Sequence, residues 1–463
     1  MRLVLLNLIV FCAIFVQASP VHHITRASLT LPALERQSII ALDGEWEFYW
    51  NKLLSPADFR KDPSVEPDAI LIPSSWSDVN VGGKSIGSKG YATYRLNIRN
   101  VPQKDLMLDI YSVQTSCCVY VNGTLVAQVG KVGTTKETTE PMNRDVQVHL
   151  PPGADEYEII VQIANFHHRK GGFVHPFEIG TTRAILKQRN LYYYLDFIES
   201  TALAIIGLFL FAMFIFRRKD LSILYFSLFC LTLAFRPMIS VNYFMATLFE
   251  GINWSILLKI EYLSAMLPCL FMLMFIRELF PMQLPKLFVK LLSVVLSVKV
   301  AVVLLFPPAI FSYTILPFLA VVSIGVLIFA ITVIRAIVAK VEGANYAGIG
   351  LVVLFISLLL KVFVYTGTLP AVHVLITVLD IAFIFMMSLI LGSRFSLQFA
   401  KVETLQKKTE QQAHEIEMEK LLVEEKNKEI LDSIHYSKRI QKALLPSEKY
   451  IERNLNRLRK GKQ

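Results

Sequence analysis

The sequence predicts a multidomain membrane protein: an all-β jelly-roll sandwich, then a seven-helix transmembrane bundle, then a cytoplasmic coiled-coil helix. Three observations predict it. Between residues 191 and 394 run seven apolar stretches of roughly 20–25 residues, the length that crosses about 30 Å of hydrocarbon. The segment before them alternates apolar and polar residues between turn signals, the pattern of strands with one buried face. The segment after them is long, charged and free of Gly until residue 461. The 463-residue chain is 54% hydrophobic with a mean hydropathy of +0.49, too apolar for a soluble protein yet diluted by polar ends.

At the N-terminus, Arg2, the run LVLLNLIVFCAIF and the small-residue site Val16-Gln17-Ala18 have the form of a secretory signal peptide over 1–18, followed by a lead-in over 19–41. Charge then orients the spans. Alternate loops carry Arg217, Arg218 and Lys219, then Arg277, Lys286 and Lys290, then Arg335 and Lys340. The loops between them, at 245–253, 307–313 and 366–372, carry no Lys or Arg. Eight against none predicts that the first set is cytoplasmic, with the segment before residue 191 outside and the tail inside. The net charge of +10 does not point to nucleic acid. From residue 394 onward there are 16 Lys and Arg against 11 Asp and Glu, so half the excess lies in the tail, where anionic membrane lipid is the expected partner.

The external domain, 42–185, reads as short strands. EWEFYW (45–50), AILIP (69–73), YATYRLNI (91–98), DLMLDIYS (105–112) and CCVYVNG (117–123) are the clearer runs, and LVAQVG (124–129), DVQVHL (145–150), YEIIVQIAN (157–165) and FVHPFEIG (173–180) complete the series. Asn122-Gly123 between two runs is a two-residue hairpin signal, which also accounts for the sequon-like Asn122-Gly123-Thr124. Eight or nine strands with almost no helical periodicity predict the jelly-roll sandwich. Cys117 and Cys118 are adjacent on a strand and point to opposite faces, so no disulfide framework is expected. No catalytic constellation appears, no cofactor is implied, and His167-His168 has no third ligand for a metal. The candidate ligand-binding residues are Trp76, Tyr91, Asn165, His167, His168 and Arg169: flat aromatic faces beside hydrogen-bonding groups at a sandwich rim, chemistry suited to a carbohydrate or another small polar ligand.

LDGEWEFYW, IPSSW, GYATYRLNI, VYVNG and QIANFHHRKGG, with the seven spans that follow, resemble the bacterial seven-transmembrane receptors with diverse intracellular signalling modules. The resemblance covers about residues 42–394. It implies a carbohydrate-binding-like external domain in a signalling receptor, with that domain periplasmic and the chain in the cytoplasmic (inner) membrane.

Within the membrane module, 190–395, ionisable residues are costly and therefore informative. Glu199, Arg236, Glu261, Lys299 and Asp380 are expected to form an intramembrane polar network toward the outer half, while Lys259 and Lys361 are expected to snorkel to the outer headgroups. The last span holds Asp380 and no Lys, which removes a retinal Schiff base. Pro237 and Pro268 interrupt spans two and three without counterparts in the later spans, which argues against a transporter built from repeats.

Along 398–445, Val402, Leu405 and Thr409, then Ile416, Val423, Asn427, Ile430, Ile434, Ser437, Gln441 and Leu444, form a seam with polar interruptions. A homodimer through this coiled coil is expected. His435 lacks the surroundings of a phospho-accepting histidine. Instead, KEILDSIHYSKRIQKALLPSEKYI (428–451) resembles the opening of the stage-II-sporulation branch of the phosphatase 2C superfamily, and 446–463 would be a truncated start of that output domain. Its metal-binding aspartates would lie further on, so the expectation is a receptor without catalytic output in these residues; the alternative is a serine phosphatase receptor lacking its catalytic half.

Overall fold

The computed structural model describes residue 24 and residues 27–31, 38–62, 66–102, 104–240, 243–249, 251–365 and 372–461; the expected signal peptide at 1–18 lies outside them. The chain forms two compact units, 1–391 and 392–463.

In the first unit, alternating residues build two packed sheets. The larger has the order β10-β9-β12-β7-β3-β4, from Thr124–Val129, Ser116–Val121, Glu156–Asn165, Gly90–Arg99, Gly44–Trp50 and Asp68–Ile72, with β1 (Ser28–Thr30) added parallel to β7. The smaller is β11-β8-β13-β2, from Val146–His149, Leu106–Ile110, Glu178–Thr181 and Ile39–Ala41. Asn122-Gly123 makes the expected hairpin, with Val121 opposite Thr124 and both turn residues at positive φ. The alternation decides the core: Ala92, Tyr94, Leu96 and Ile98 of β7 are fully buried. They pack with Trp46, Phe48, Leu108, Val119, Phe173 and Phe177 in one cluster. Of 173–180, only the end is strand. Pro176 has no N–H for a ladder, and Phe173 and Phe177 instead plug the core with ring centroids 4.5 Å apart. Cys117 joins the core cluster and Cys118 does not, as their opposite faces require. Burial pushes the Cys117 thiol up to about 12, which makes it unreactive.

Seven helices among the described residues are long and apolar enough to cross a membrane: Thr182–Phe216, Leu221–Ile239, Trp254–Leu279, Lys286–Leu305, Pro308–Val338, Ala344–Val364 and a seventh beginning at His373. The second breaks at Ala234, one turn before Pro237, whose ring and missing N–H disrupt the preceding turn. The third runs unbroken through Pro268.

The helix that begins at His373 runs on to Leu444, and the second unit also holds a helix over Glu448–Lys460. Val402, Leu405, Ile416, Val423, Ile430, Ile434 and Leu444 of the expected seam are all exposed within one chain.

Candidate functional site

The last strand of the sandwich continues into the first membrane helix without a linker: β13 ends at Thr181, and Thr181 is the N-cap of Thr182–Phe216. Eight residues in, Arg189 turns back into the sandwich, with its side chain only 2% exposed. Its Nε and Nη2 donate to the two oxygens of Asp109 at 2.5 and 2.8 Å, and its Nη1 donates to Asp145 at 2.7 Å. The guanidinium carbon lies 4.2 Å over the Tyr111 ring. Asp109 also accepts from Gln147 Nε2 at 2.8 Å, and Asp145 from the Ser112 N–H at 2.7 Å. Beside them Glu178 accepts from Tyr111 Oη at 3.1 Å and Gln188 Nε2 at 2.8 Å. Burial raises the Asp145 carboxyl above its usual range, with Arg189 pulling the other way. Glu178 is raised by burial and then by the neighbouring Asp109 charge.

This arrangement cannot be loosened by degrees. Withdrawing the guanidinium strands buried carboxylates, a loss of roughly 3–5 kcal/mol for a broken buried pair. Arg189 therefore ties the first membrane helix to the smaller sheet.

A second joint uses the rim. Asn165 is fully buried, and its Nδ2 donates to the carbonyls of Ser88, His168 and Lys170 at 2.7–2.9 Å. Its Oδ1 accepts the N–H groups of His167 and His168. Gly171 and Gly172 close the loop against Trp76, where a Cβ would come within 2.5 and 2.7 Å of the indole. The loop so shaped meets the helices. The His167 ring lies edge-on to Trp254 at 6.3 Å, the Arg169 N–H donates to Ser312 Oγ at 3.2 Å, and the Arg169 side chain meets the Tyr262 hydroxyl. Asn143 likewise meets the Tyr243 hydroxyl.

The six residues proposed for ligand contact are therefore divided. Trp76 is a core residue whose Nε1 donates to Tyr94 Oη at 2.6 Å, and Tyr91 is half-buried on the opposite face of its strand. Asn165 and His168 shape the rim from inside; His167 and Arg169 carry it onto the third and fifth helices.

Within the bundle, Asp380 accepts from Ser357 Oγ at 2.6 Å and Lys361 Nζ at 2.7 Å, joining the sixth and seventh helices. Lys361 is thus paired rather than merely snorkelling. Glu199 lies within electrostatic reach of Asp380, Lys361 and Arg236, and Glu261 of Arg236. Lys299 stands elsewhere, donating to the Thr314 carbonyl at 3.1 Å, and Lys259 donates to that of Leu304 at 2.8 Å.

The Arg189 cluster was not among the residues singled out by sequence. The available signal was Asp109, an acid within an otherwise apolar strand whose five residues are all buried.

Residues 192–394 match the family model described as 7TM diverse intracellular signalling. No curated protein matches the chain. Among solved structures it is similar to β-glucuronidases of an uncultured Clostridium sp. (15% identity, TM-score 0.25, covering 32% of this chain and 30% of that one) and of Faecalibacterium prausnitzii (15%, 0.25, 32% and 32%). It is also similar to a putative β-galactosidase of Bacteroides fragilis (21%, 0.22, 31% and 23%). The chain thus spans about a third or less of the length of these enzymes. The segment that this family model matches holds the seven apolar helices, so over these spans the chain is similar to the seven-transmembrane signalling receptors.

Proposed function

We propose that this receptor senses a small polar ligand, of the carbohydrate class, at its external domain and passes the change through the Arg189 joint into the helices and on to the tail. The proposal places the sandwich in the periplasm of a bacterium, the helices in the cytoplasmic membrane, and the tail in the cytoplasm as a pair with a second copy. A cytoplasmic signalling partner then reads the pair.

The observation that carries this reading is the linker-free joint. The smaller sheet and the first membrane helix share one buried cation, Arg189, between Asp109 and Asp145. A ligand that shifts one sheet against the other has a direct route into the bilayer. The seventh helix supplies the exit, running unbroken from His373 to Leu444.

The test uses the full-length receptor in nanodiscs and a panel of neutral mono- and disaccharides. At least one sugar is expected to raise the thermal unfolding temperature and to alter disulfide cross-linking of a Val402→Cys tail. In Arg189→Gln that sugar should still bind while cross-linking no longer responds. A panel with no thermal shift overturns the carbohydrate class. A wild-type-like cross-linking response in Arg189→Gln overturns the route.

A further inference from the structure

At the ends of the helices away from the sandwich, the third (Trp254–Leu279) and fourth (Lys286–Leu305) part to leave an open cleft of about 610 Å³. That volume falls within the roughly 300–1,000 Å³ of small-molecule sites. Its mouth holds Arg277, Lys286 and Lys290 with a single acid, Glu278. Arg277 Nη1 donates to the carbonyls of Pro281 and Leu284, which folds the connecting turn back and fixes the guanidinium at the opening. The side chains of Lys286 and Lys290 are exposed and make no hydrogen bond or ion pair among the described residues.

The cleft is cationic only at its mouth. Lys286, Lys290, Ser293 and Ser297 follow a spacing of four, three and four, so they form one stripe on the fourth helix. From Lys286 to Ser297 that helix rises about 16 Å. Beyond the cations the lining is mixed, with Ser293 and Ser297 interleaved with Val294 and Val298, and with Met274 on the third helix. A phospholipid has the same contrast, an anionic phosphate at one end and an acyl chain at the other.

We propose that this cleft is a binding site for the phosphate headgroup of an anionic phospholipid of the cytoplasmic leaflet. A soluble anion would need the cationic mouth but not the apolar depth open to the bilayer. The site rests on the orientation given by loop charge, which puts Arg277, Lys286 and Lys290 on the cytoplasmic side. Its position gives it a consequence for signalling, because the third helix carries Trp254 and Tyr262 at its other end, against the external rim.

The test titrates delipidated full-length receptor in mixed micelles with phosphatidylglycerol and, in parallel, phosphatidylcholine, reading bound lipid by native mass spectrometry. Lys286→Gln with Lys290→Gln should weaken phosphatidylglycerol binding about thirtyfold. Lys286→Arg with Lys290→Arg should retain it, and Arg217→Gln with Arg218→Gln, on another basic loop, should leave it unchanged. Equal binding of the two lipids, or equal losses from both Gln pairs, overturns the site. Complete displacement by millimolar inorganic phosphate also overturns it, in favour of a soluble anion. Should the Gln pair at Lys286 and Lys290 fail to fold, Val294→Trp fills the apolar part of the cleft with the charges intact and should lower lipid binding; unchanged binding there overturns the proposal. Lipid is read without any external ligand, so this result and the carbohydrate test fail independently.

Discussion

Both ends of the Asn165 amide are engaged by its own loop, and the side chain is fully buried. Asn165→Ala leaves two backbone N–H groups and three carbonyls without that partner, so it should lower unfolding free energy by about 3 kcal/mol. Thermal unfolding of the full-length protein reads this, and unchanged stability would refute the loop-shaping role. His168, three residues on, adds a pH dependence. Burial, assisted by the Arg169 and Lys170 charges, pushes its pKa down to about 4, and the neutral ring accepts the Lys170 N–H at 3.2 Å. A base with a lowered folded pKa favours the unfolded chain once protons are available. Its contribution is complete above the unfolded value of about 6.5 and is lost as pH falls toward 4, up to about 3 kcal/mol. Glu178, raised by burial, acts with the opposite sign, so the informative quantity is the difference between wild type and His168→Asn. That difference should shrink steadily from pH 6.5 to 4.5 in melting curves; a constant difference would exclude His168.

Among the elements, the sixth and seventh helices are joined by polar atoms within an apolar stretch. Asp380 takes one hydrogen bond from Ser357 and one from Lys361. A double-mutant cycle with Asp380→Asn and Lys361→Met should give a coupling of about 1–2 kcal/mol in thermal unfolding, the upper part of the range for polar contacts between membrane helices. Strict additivity would dismiss the pair. This contact also shows what sequence discloses and what it does not. The spans and the long strands were legible because their apolar periods are local properties of the chain. Three-residue strands such as Ile39–Ala41 are too short to display alternation. Pairing between helices depends on rotation and register, which no local period specifies, so Lys361 read as a residue reaching for headgroups. The Arg189 joint was hidden for the same reason: its partners lie 80 and 44 positions earlier, and only packing brings them together. The rim was legible as a place, since Asn165–Arg169 do end a strand at the sandwich edge, but not as a face, because nothing local tells whether a rim looks toward solvent or toward the bilayer.

At the scale of the molecule, the sandwich and the basic loops lie at opposite ends of the helices. The sandwich touches Tyr243, Trp254, Tyr262 and Ser312, which lie at or near the loops 245–253 and 307–313 that carry no Lys or Arg. The basic loops occupy the other ends. A positive-inside chain with an external sandwich has this arrangement, whereas a cytoplasmic sandwich would have to lie against the uncharged side. The third helix separates the two surfaces by 26 residues, about 39 Å, more than the hydrocarbon thickness of about 30 Å. Accessibility of single introduced cysteines in a Cys269→Ala background checks this directly, because Cys117, Cys118 and Cys230 are buried whereas Cys269 is only partly so. An impermeant maleimide applied to spheroplasts should label Lys84→Cys on the sandwich at once. It should reach Met282→Cys, 90% exposed in the turn after the third helix, only after the membrane is breached. Equal labelling of both positions in sealed spheroplasts would put them on one side, and both the route through Arg189 and the inner-leaflet lipid site would fall with that result.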